Sequence, residues 1–435
     1  MIEFAVVAQW PGIILRWTAI IAAMIVAFIG FLFLTRGTAV RRVRGVGVDG
    51  TPIRPSEDGF ALCVNMLTGS ALVPGNHIEL LLDGGVFPRL YEDLRNAKRA
   101  ITVQMYYALS GRVTATLAEI LIERARAGVL VLVLYDAFGA KALGGDYARR
   151  LREAGAQVVA FRPLRLGNLW IIQNRAHIRG ITIDAEIGWT GGFGFDDKWL
   201  GESRTGTGWR DTAVRFKGPA VFQLLEAFAA GWAEATGELF AGRIAQTYEE
   251  HGVAAASLLY TAPTLGSTAA ERFLALSIAG AHHSIFITNA YFAPDKNFVA
   301  LLAEAAQRGV DVRLLVGGPR TDVRVARLAA HGRYERLLNA GVRIWEYDPT
   351  TLHAKTFVID GIWSTIGTMN FDNRSLALND EATLMVLDSD FAKRMEQLFC
   401  DDVGRAVPVD RDVFFQRPWT EHVKEWAANQ ITRVL

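Results

Sequence analysis

One order of segments occurs twice along this chain, and the repetition restricts the fold more tightly than any single motif. In its first occurrence a helix-like run carrying Phe87, Leu90, Leu94 and Ala97 leads into AITVQMYY at 100–107. A second helix ends in ERARAG at 123–128, and VLVLVLYD follows at 129–136. In the second occurrence Phe273-Leu-Ala-Leu leads to SIFITNAYF at 284–292, then EAAQRG at 304–309, then VDVRLLVG at 310–317. Each pass adds a strand after a glycine, AQVVAFRP after Gly155 and VRIWEYD after Gly341, and each ends in a strand bearing a histidine. Short apolar runs alternating with helical runs predict an α/β fold in each half. Two similar halves predict a pseudo-twofold relation with a site where they meet.

The length of 435 residues suits two such domains. The expected layout is a membrane anchor at 1–35, a basic Gly/Pro linker at 36–59, and two α/β domains at 60–240 and 241–435. A helix over 221–240 and a looser join over 241–256 connect them. Lys and Arg number 46 against 45 Asp and Glu, so no global positive field exists to hold a polyanion, and nucleic acid is not an expected partner. Cys63 and Cys400 lack metal-ligand spacing and read as two buried thiols in a reducing compartment.

From Trp17 to Leu34 the chain carries no charge, a run of ~27 Å if helical against a bilayer core of ~30 Å. Trp10 and Trp17 stand where interfacial aromatics would, and Arg36, Arg41, Arg42 and Arg44 follow directly. The expectation is a single-pass anchor in the inner (plasma) membrane with a cytoplasmic body. No A-x-A-like site follows the apolar run and the basic cluster lies after it, which argues against a cleaved signal. Residues 36 to 58 read as a tether near anionic headgroups.

Around the second histidine the chain reads TLHAKTFVIDGIWSTIGTMNFDNRSLALNDEATLMV. A strand here places His353 and Lys355 on one face, about 6 to 7 Å apart. Imidazole can attack phosphorus or move a proton near neutral pH while an ammonium neutralises non-bridging oxygens, so the pair suits a phosphoryl group. Asp360 has the opposite parity and precedes Gly361, so it reads either as a site residue or as the start of a hairpin turn. Gly367 and Asn370 could bring a backbone turn and an amide to the phosphate, and Glu381 could orient the His353 ring.

The series His-x-Lys, Asp after four residues, Gly-x-x-Asn, Asn-Arg-Ser-Leu and Asn-x-Glu resembles the C-terminal HKD motif of the phospholipase D superfamily, most closely that of bacterial cardiolipin synthases. The matching first-half stretch is NRAHIRGITIDAEIGWTGGFGFDDKWLGE, with His177, Arg179 and Asp184 at the three motif positions. Arg179 replaces the usual lysine, keeping the charge in a larger planar group. Gly191-Gly192-Phe193-Gly194 stands where Gly-Gly-x-Asn is usual. Within Trp209-Arg210-Asp211, the resemblance makes Asp211 the support of the first-motif histidine and the counterpart of Glu381. Further similarity lies in WAEATGE at 232–238 and in the tail around Trp419 and Trp426, although many bacterial cardiolipin synthases begin with two membrane helices and one is visible here.

The resemblance implies that one histidine attacks a phosphodiester phosphorus and the other protonates the leaving alcohol. His177 is the nucleophile and His353 the acid by analogy, with the reverse assignment open because the first motif is the altered one. Arg179, Lys355 and Asn370, with Gly192 and Gly367, would hold the phosphate, and no metal or cofactor is implied. The implied substrates are phosphatidylglycerol and possibly phosphatidylethanolamine, giving cardiolipin. Hydrolysis of a phosphodiester and non-catalytic lipid binding are the alternatives. Among other features, His282-His283 reads as a solvated helix end. His331 with Arg320, Arg324, Arg327, Arg333 and Arg336 reads as a solvated helix or a surface meeting anionic headgroups. Tyr106 and Tyr291 end equivalent strands and could line a cleft.

Overall fold

The computed structural model describes residues 10–34, 39–45, 50–163, 173–239, 249–264 and 266–431. Among them one mixed sheet of fifteen strands carries helices on both faces. The strands are β1 (Val73–Leu82), β2 (Ala100–Met105), β3 (Leu130–Asp136), β4 (Gln157–Phe161), β5 (Arg179–Ile183), β6 (Ile187–Gly191), β7 (Thr212–Lys217) and β8 (Ala254–Thr261). They continue with β9 (Ser284–Asn289), β10 (Asp311–Gly317), β11 (Arg343–Tyr347), β12 (Lys355–Ile359), β13 (Trp363–Gly367), β14 (Glu381–Leu387) and β15 (Val407–Pro408).

Outward from an antiparallel contact between β1 and β8, the order is β7-β6-β5-β2-β3-β4 on one side and β14-β13-β12-β9-β10-β11-β15 on the other. The runs β2-β3-β4 and β9-β10-β11 are parallel, and β5 and β12 join them antiparallel. The parallel strands are apolar and buried nearly throughout because helices cover both their faces, which is why they read so clearly in the sequence.

The helices are α1 (Trp10–Leu34), α2 (Phe60–Thr68), α3 (Val86–Arg95), α4 (Arg112–Arg126), α5 (Gly145–Glu153), α6 (Ala220–Thr236), α7 (Ala269–Gly280), α8 (Lys296–Gln307), α9 (Arg324–Asn339), α10 (Asn373–Ala377), α11 (Ser389–Val403), α12 (Arg411–Phe415) and α13 (Trp419–Ile431). Helices α3 to α5 cover one core, and α2 with α7, α8 and α9 covers another. On the opposite face α6 and α11 pack across the middle of the sheet. Helix α6 stops short of the expected 240 because Gly237, at φ 77°, caps it in the left-handed region, and Phe240 lies outside the described residues.

Near the N-terminus the structure adds detail to the expected layout. Among the described residues no helix is long and apolar enough to cross a membrane. In α1 the described side chains run from 15 to 28, all exposed, so the rest of the expected span lies outside them. Part of the linker is docked instead of loose: Val40 and Val43 pack on the core under α7 to α9, and the Ala39 N–H donates to Glu271 Oε2 at 2.8 Å. Phe60 and Val64 of α2 enter that same core, with the Phe60 ring 5.2 Å from that of Trp363. The thiols correct the expectation of burial. Cys400 is exposed and Cys63 half-buried, because in α11 it is Met395, Leu398 and Phe399 that face the core.

Candidate active site

Two isolated parallel bridges, Leu352 with Arg210 and Ala176 with Asp380, hold the site together. The His353 N–H donates to the Arg210 carbonyl at 2.7 Å, and the Asp380 N–H to the Arg175 carbonyl at 2.9 Å. Because each bridge is parallel, the residues one step further stand side by side, which sets His353 beside Asp211 and His177 beside Glu381. His353 Nδ1 lies 2.8 Å from Asp211 Oδ2, and His177 Nδ1 lies 2.9 Å from both oxygens of Glu381. This exchanges the expected partners. Its place on the next apolar run had suggested Glu381 for His353, and the family resemblance Asp211 for His177, whereas the bridges carry each carboxylate across to the other histidine.

A carboxylate only accepts, so Nδ1 of each ring donates and Nε2 is the nitrogen available to chemistry. The carboxylates are themselves held. Thr368 Oγ1 and Asn379 Nδ2 donate to Glu381 at 2.5 and 3.3 Å. Trp199 Nε1 and the Thr212 N–H donate to Asp211 at 2.7 and 2.8 Å. Gly192 is needed here: a Cβ on it would stand 2.1 Å from Asp211 Oδ1.

Cations surround both rings. Arg179 Nη1 approaches His177 Nε2 at 3.2 Å, and Lys355 donates to the His353 carbonyl. Burial pushes the His177 imidazole down to about 4, against the pull of Glu381 and with help from Arg179. Burial, with Lys355, Arg179, His177 and Lys198 nearby, holds His353 well below its ordinary value. Burial also brings the Lys355 ammonium down to about 7 despite Asp211, and raises the Asp211 carboxyl. For Glu381 burial acts upward, but His177 and the hydrogen bonds from His177, Thr368 and Ser375 bring it below its usual value. An empty site therefore favours neutral imidazoles, and an incoming phosphodiester anion supplies the charge that the cations lack.

Both histidines open on one cavity of about 280 Å³, lined also by Arg179, Asn370 and Asn379 among polar groups and by Tyr106, Trp199, Trp209 and Tyr291 among rings. Tyr106 stands edge-on to His177 at 4.6 Å, and Trp199 and Trp209 lie 5.3 Å from His353. Asn370 also lines the cavity, its Oδ1 buried without a hydrogen-bond partner; an amide oxygen only accepts, so toward a phosphate it is Nδ2 that can donate.

Of the expected site residues, His177, Arg179, His353, Lys355, Asn370, Asp211 and Glu381 come together, and Tyr106 and Tyr291 line the cleft. Asp184 and Asp360 do not join them. Each sits at the far end of its strand, about 20 Å of extended chain from the histidine. Asp360, at φ 53°, accepts from the N–H groups of His282, His283 and Ser284. Asp184, at φ 55°, accepts from those of Lys98, Arg99 and Ala100. Their role is to tie loop to strand.

Gly192 and Gly367 also leave the phosphate-binding set. The Gly192 N–H is spent on the Thr212 carbonyl at 3.2 Å. Gly367 lies within β13, where a Cβ would meet the Ala382 carbonyl at 2.5 Å. Sequence reading missed Lys198, Trp199, Asn379, Thr368 and Asp322. Lys198 Nζ stands 3.9 Å over the Trp209 ring and 4.0 Å over that of Tyr107. The cluster of Asp, Lys and Trp at 196–199, directly after the first glycine series, was the signal available for two of them.

Comparison with known proteins follows the same lines. A family model described as "Cardiolipin synthase, PLD-like domain" matches residues 274–403. Cardiolipin synthase A of Pseudomonas fluorescens (strain SBW25) is 36% identical over 340 residues, covering 78% of this chain and 70% of that protein. Cardiolipin synthase of Geobacillus sp. (strain WCH70) is 34% identical over 356 residues, covering 80% and 70%. Among solved structures, phosphatidylserine synthase of Haemophilus influenzae Rd KW20 superposes with a TM-score of 0.64 at 14% identity, over 86% of this chain and 98% of that one. Polyphosphate kinase of Porphyromonas gingivalis gives 0.52 at 14% identity, over 81% and 53%. These two establish likeness of fold, and the identity and coverage of the bacterial relatives establish descent: the chain belongs to the cardiolipin synthase family of phospholipase D-like enzymes.

Proposed function

We propose that this enzyme moves a phosphatidyl group from one phosphatidylglycerol to the hydroxyl of another, releasing glycerol and forming cardiolipin, with phosphatidylethanolamine as a possible alternative donor. The observation that carries the reading is the pair of buried imidazoles, each fixed through Nδ1 by a carboxylate and both opening on one cation-lined cavity. In the first step His177 Nε2 bonds to phosphorus and the P–O bond to glycerol breaks, the alkoxide taking its proton from His353. In the second, a hydroxyl of the acceptor lipid gives its proton to His353 and attacks the phosphatidyl-histidine, freeing His177. Arg179 and Lys355 balance charge on the non-bridging oxygens, and Asn370 Nδ2 donates to them. The bound phosphodiester raises the proton affinity of His353, so the acid forms when the substrate arrives.

Two structural readings accompany this. The matching strand orders on the two sides of the β1–β8 contact, and the two bridges, support a pseudo-twofold pair of domains, roughly 60–240 and 241–435, with the site between them. The uncharged run from Trp17 to Leu34, its helical backbone and the exposure of its described apolar side chains support a single-pass anchor of the inner (plasma) membrane with the body cytoplasmic.

Membranes carrying the protein, supplied with labelled phosphatidylglycerol, should yield cardiolipin and free glycerol. Release of phosphatidic acid alone would convert the reading to a hydrolase. Lipid binding without any turnover would leave a binding protein. His177→Ala and His353→Ala should each abolish transfer, and near-normal transfer by either would end the two-histidine scheme.

A further inference from the structure

Helix α13 packs one face on the body and turns an aromatic face outward. Ala428 and Glu425 are buried, Ala428 in a small cluster with Ala293 and Ala329 of the α9 layer. Trp419, Val423 and Trp426, at helical spacing i, i+4, i+7, are 74%, 50% and 66% exposed. Two tryptophans this open on one helix face are unusual for a surface that meets water alone. Helix α2 repeats the pattern with Leu62 and Met66, 73% and 76% exposed at i, i+4.

The docked linker bears on what covers this surface. Val40 and Val43 turn inward onto the core shared by α2, α7, α8 and α9, while Arg41, Arg42 and Arg44 are exposed. No carboxylate among the described residues pairs with these three arginines. Only four residues separate Leu34, the last of α1, from Ala39, which is fixed to Glu271 of α7. The end of α1 thus lies within about 18 Å of this layer, the reach of so short a chain.

We propose that this layer is the bilayer-facing surface of the enzyme, with α13 lying in the headgroup region on Trp419, Val423 and Trp426, and with Arg41, Arg42 and Arg44 on anionic lipid phosphates. Tryptophan is suited to that depth because its ring is apolar and its N–H can stay hydrated, and unpaired arginines match an anionic surface. Helix α9, on which α13 packs, begins beside the cavity, whose wall includes Asp322, Val323 and Ala326. The surface therefore holds the cleft next to the lipid it must draw from. The proposal rests on the membrane reading of α1 for its orientation, and the test separates the two.

Full-length protein in vesicles of phosphatidylglycerol and phosphatidylcholine, with Cys63→Ser and Cys400→Ser and a fluorescent probe on Val423→Cys, reads α13 directly. Spin-labelled lipid should quench the probe strongly, whereas a probe on Lys393→Cys of α11 should be quenched only by aqueous iodide. Retention after an alkaline wash reads the anchor alone. Protein retained with the 423 probe open to iodide overturns the surface proposal, as does a 423 probe shielded from both quenchers, which would mean that a second chain covers the helix. Protein released by the wash overturns the anchor, while lipid quenching at 423 before the wash still supports the surface and its absence overturns it. Trp419→Ser with Trp426→Ser should raise the apparent KM for vesicle lipid about tenfold and leave kcat on a detergent-dispersed short-chain substrate unchanged. An equal loss on both substrates would place α13 in folding and overturn its lipid role.

Discussion

Glu381 holds the ring of His177 through two contacts of 2.9 Å, although 204 residues separate them. The reciprocal pair, Asp211 and His353, closes over 142 residues at 2.8 Å. Each histidine thus depends on a strand-edge carboxylate reached only through the bridges Ala176–Asp380 and Leu352–Arg210. Glu381→Gln and Asp211→Asn keep the volume but offer the wrong partner to Nδ1–H, so each should lower kcat by ~10²- to 10⁴-fold with the fold intact. Selective 15N labelling of histidine reads the crossing. Glu381→Gln should move the Nδ1 signal of His177 and Asp211→Asn that of His353, and the opposite pattern would sink the assignment.

Asp360 should behave as a structural residue. Its carboxylate accepts from three consecutive N–H groups, and its φ of 53° is tolerated by Asp or Asn better than by most residues. Asp360→Ala should cost about 2 kcal/mol, visible as a lower Tm, while kcat measured well below that Tm stays near wild type. A large loss of kcat at unchanged Tm would return Asp360 to the chemistry.

How much of this could be read from sequence follows from what is local. The strands at 100–105, 130–136, 284–289 and 311–317 were visible because burial on both faces leaves unbroken apolar runs. His177, Arg179, His353 and Lys355 were visible because each pair lies within one short segment. The carboxylate pairing was not, since it depends on the register between distant loops and a reading along the chain favours the nearer acid. Asp184 misled for the converse reason: close in sequence to His177, it stands at the opposite end of a straight strand, while Asp360, likewise at the far end of its strand, occupies the turn before Gly361 that was its other reading.

Gly194 stands where the first motif usually carries asparagine, and the structure shows what took the space. A Cβ there would approach the Trp199 ring and the Tyr107 carbonyl at 3.0 Å. Trp199 in turn fixes Asp211. Restoring the family residue with Gly194→Asn should therefore displace Trp199, destabilise the fold by about 1–3 kcal/mol and lower transfer. Gain of activity would show that the cavity wall is looser than the packing indicates.

Burial places Lys355 near 7, with a sign that distinguishes chemistry from unfolding. Its folded value lies below that of the unfolded chain, so between about 7 and 10.4 the unfolded state binds more protons and stability rises with pH. The charge needed to meet a phosphodiester is lost over the same rise, so kcat/KM should fall as pH climbs through about 7. The substrate anion restores the proton, so kcat should fall later. Arginine stays charged, so whatever turnover Lys355→Arg retains should lack this basic limb. A limb unchanged in that variant would assign it to another group.

His331 reads along the sequence as part of a basic helix that is either solvated or turned to anionic headgroups, yet it ties α9 to both β11 and α13. Nε2 lies 2.7 Å from Glu346 Oε1, and Nδ1 faces Glu425 at 3.7 Å. Arg327, Arg417, Tyr334 and Phe414 complete its surroundings. Arg327 pairs with Glu346 and Arg333 caps backbone carbonyls, which leaves Arg320, Arg324 and Arg336 as the exposed cations of this stretch. Burial acts against the imidazolium, but hydrogen bonds to Glu346 and Glu425 outweigh it and its pKa is raised. The stabilisation is therefore complete below the unfolded value of about 6.5 and lost as pH rises through the higher folded value. His331→Gln should lower Tm by an amount equivalent to about 1 kcal/mol near pH 6 and by progressively less toward pH 9. A Tm difference that is flat with pH would mean that His331 contributes by packing alone.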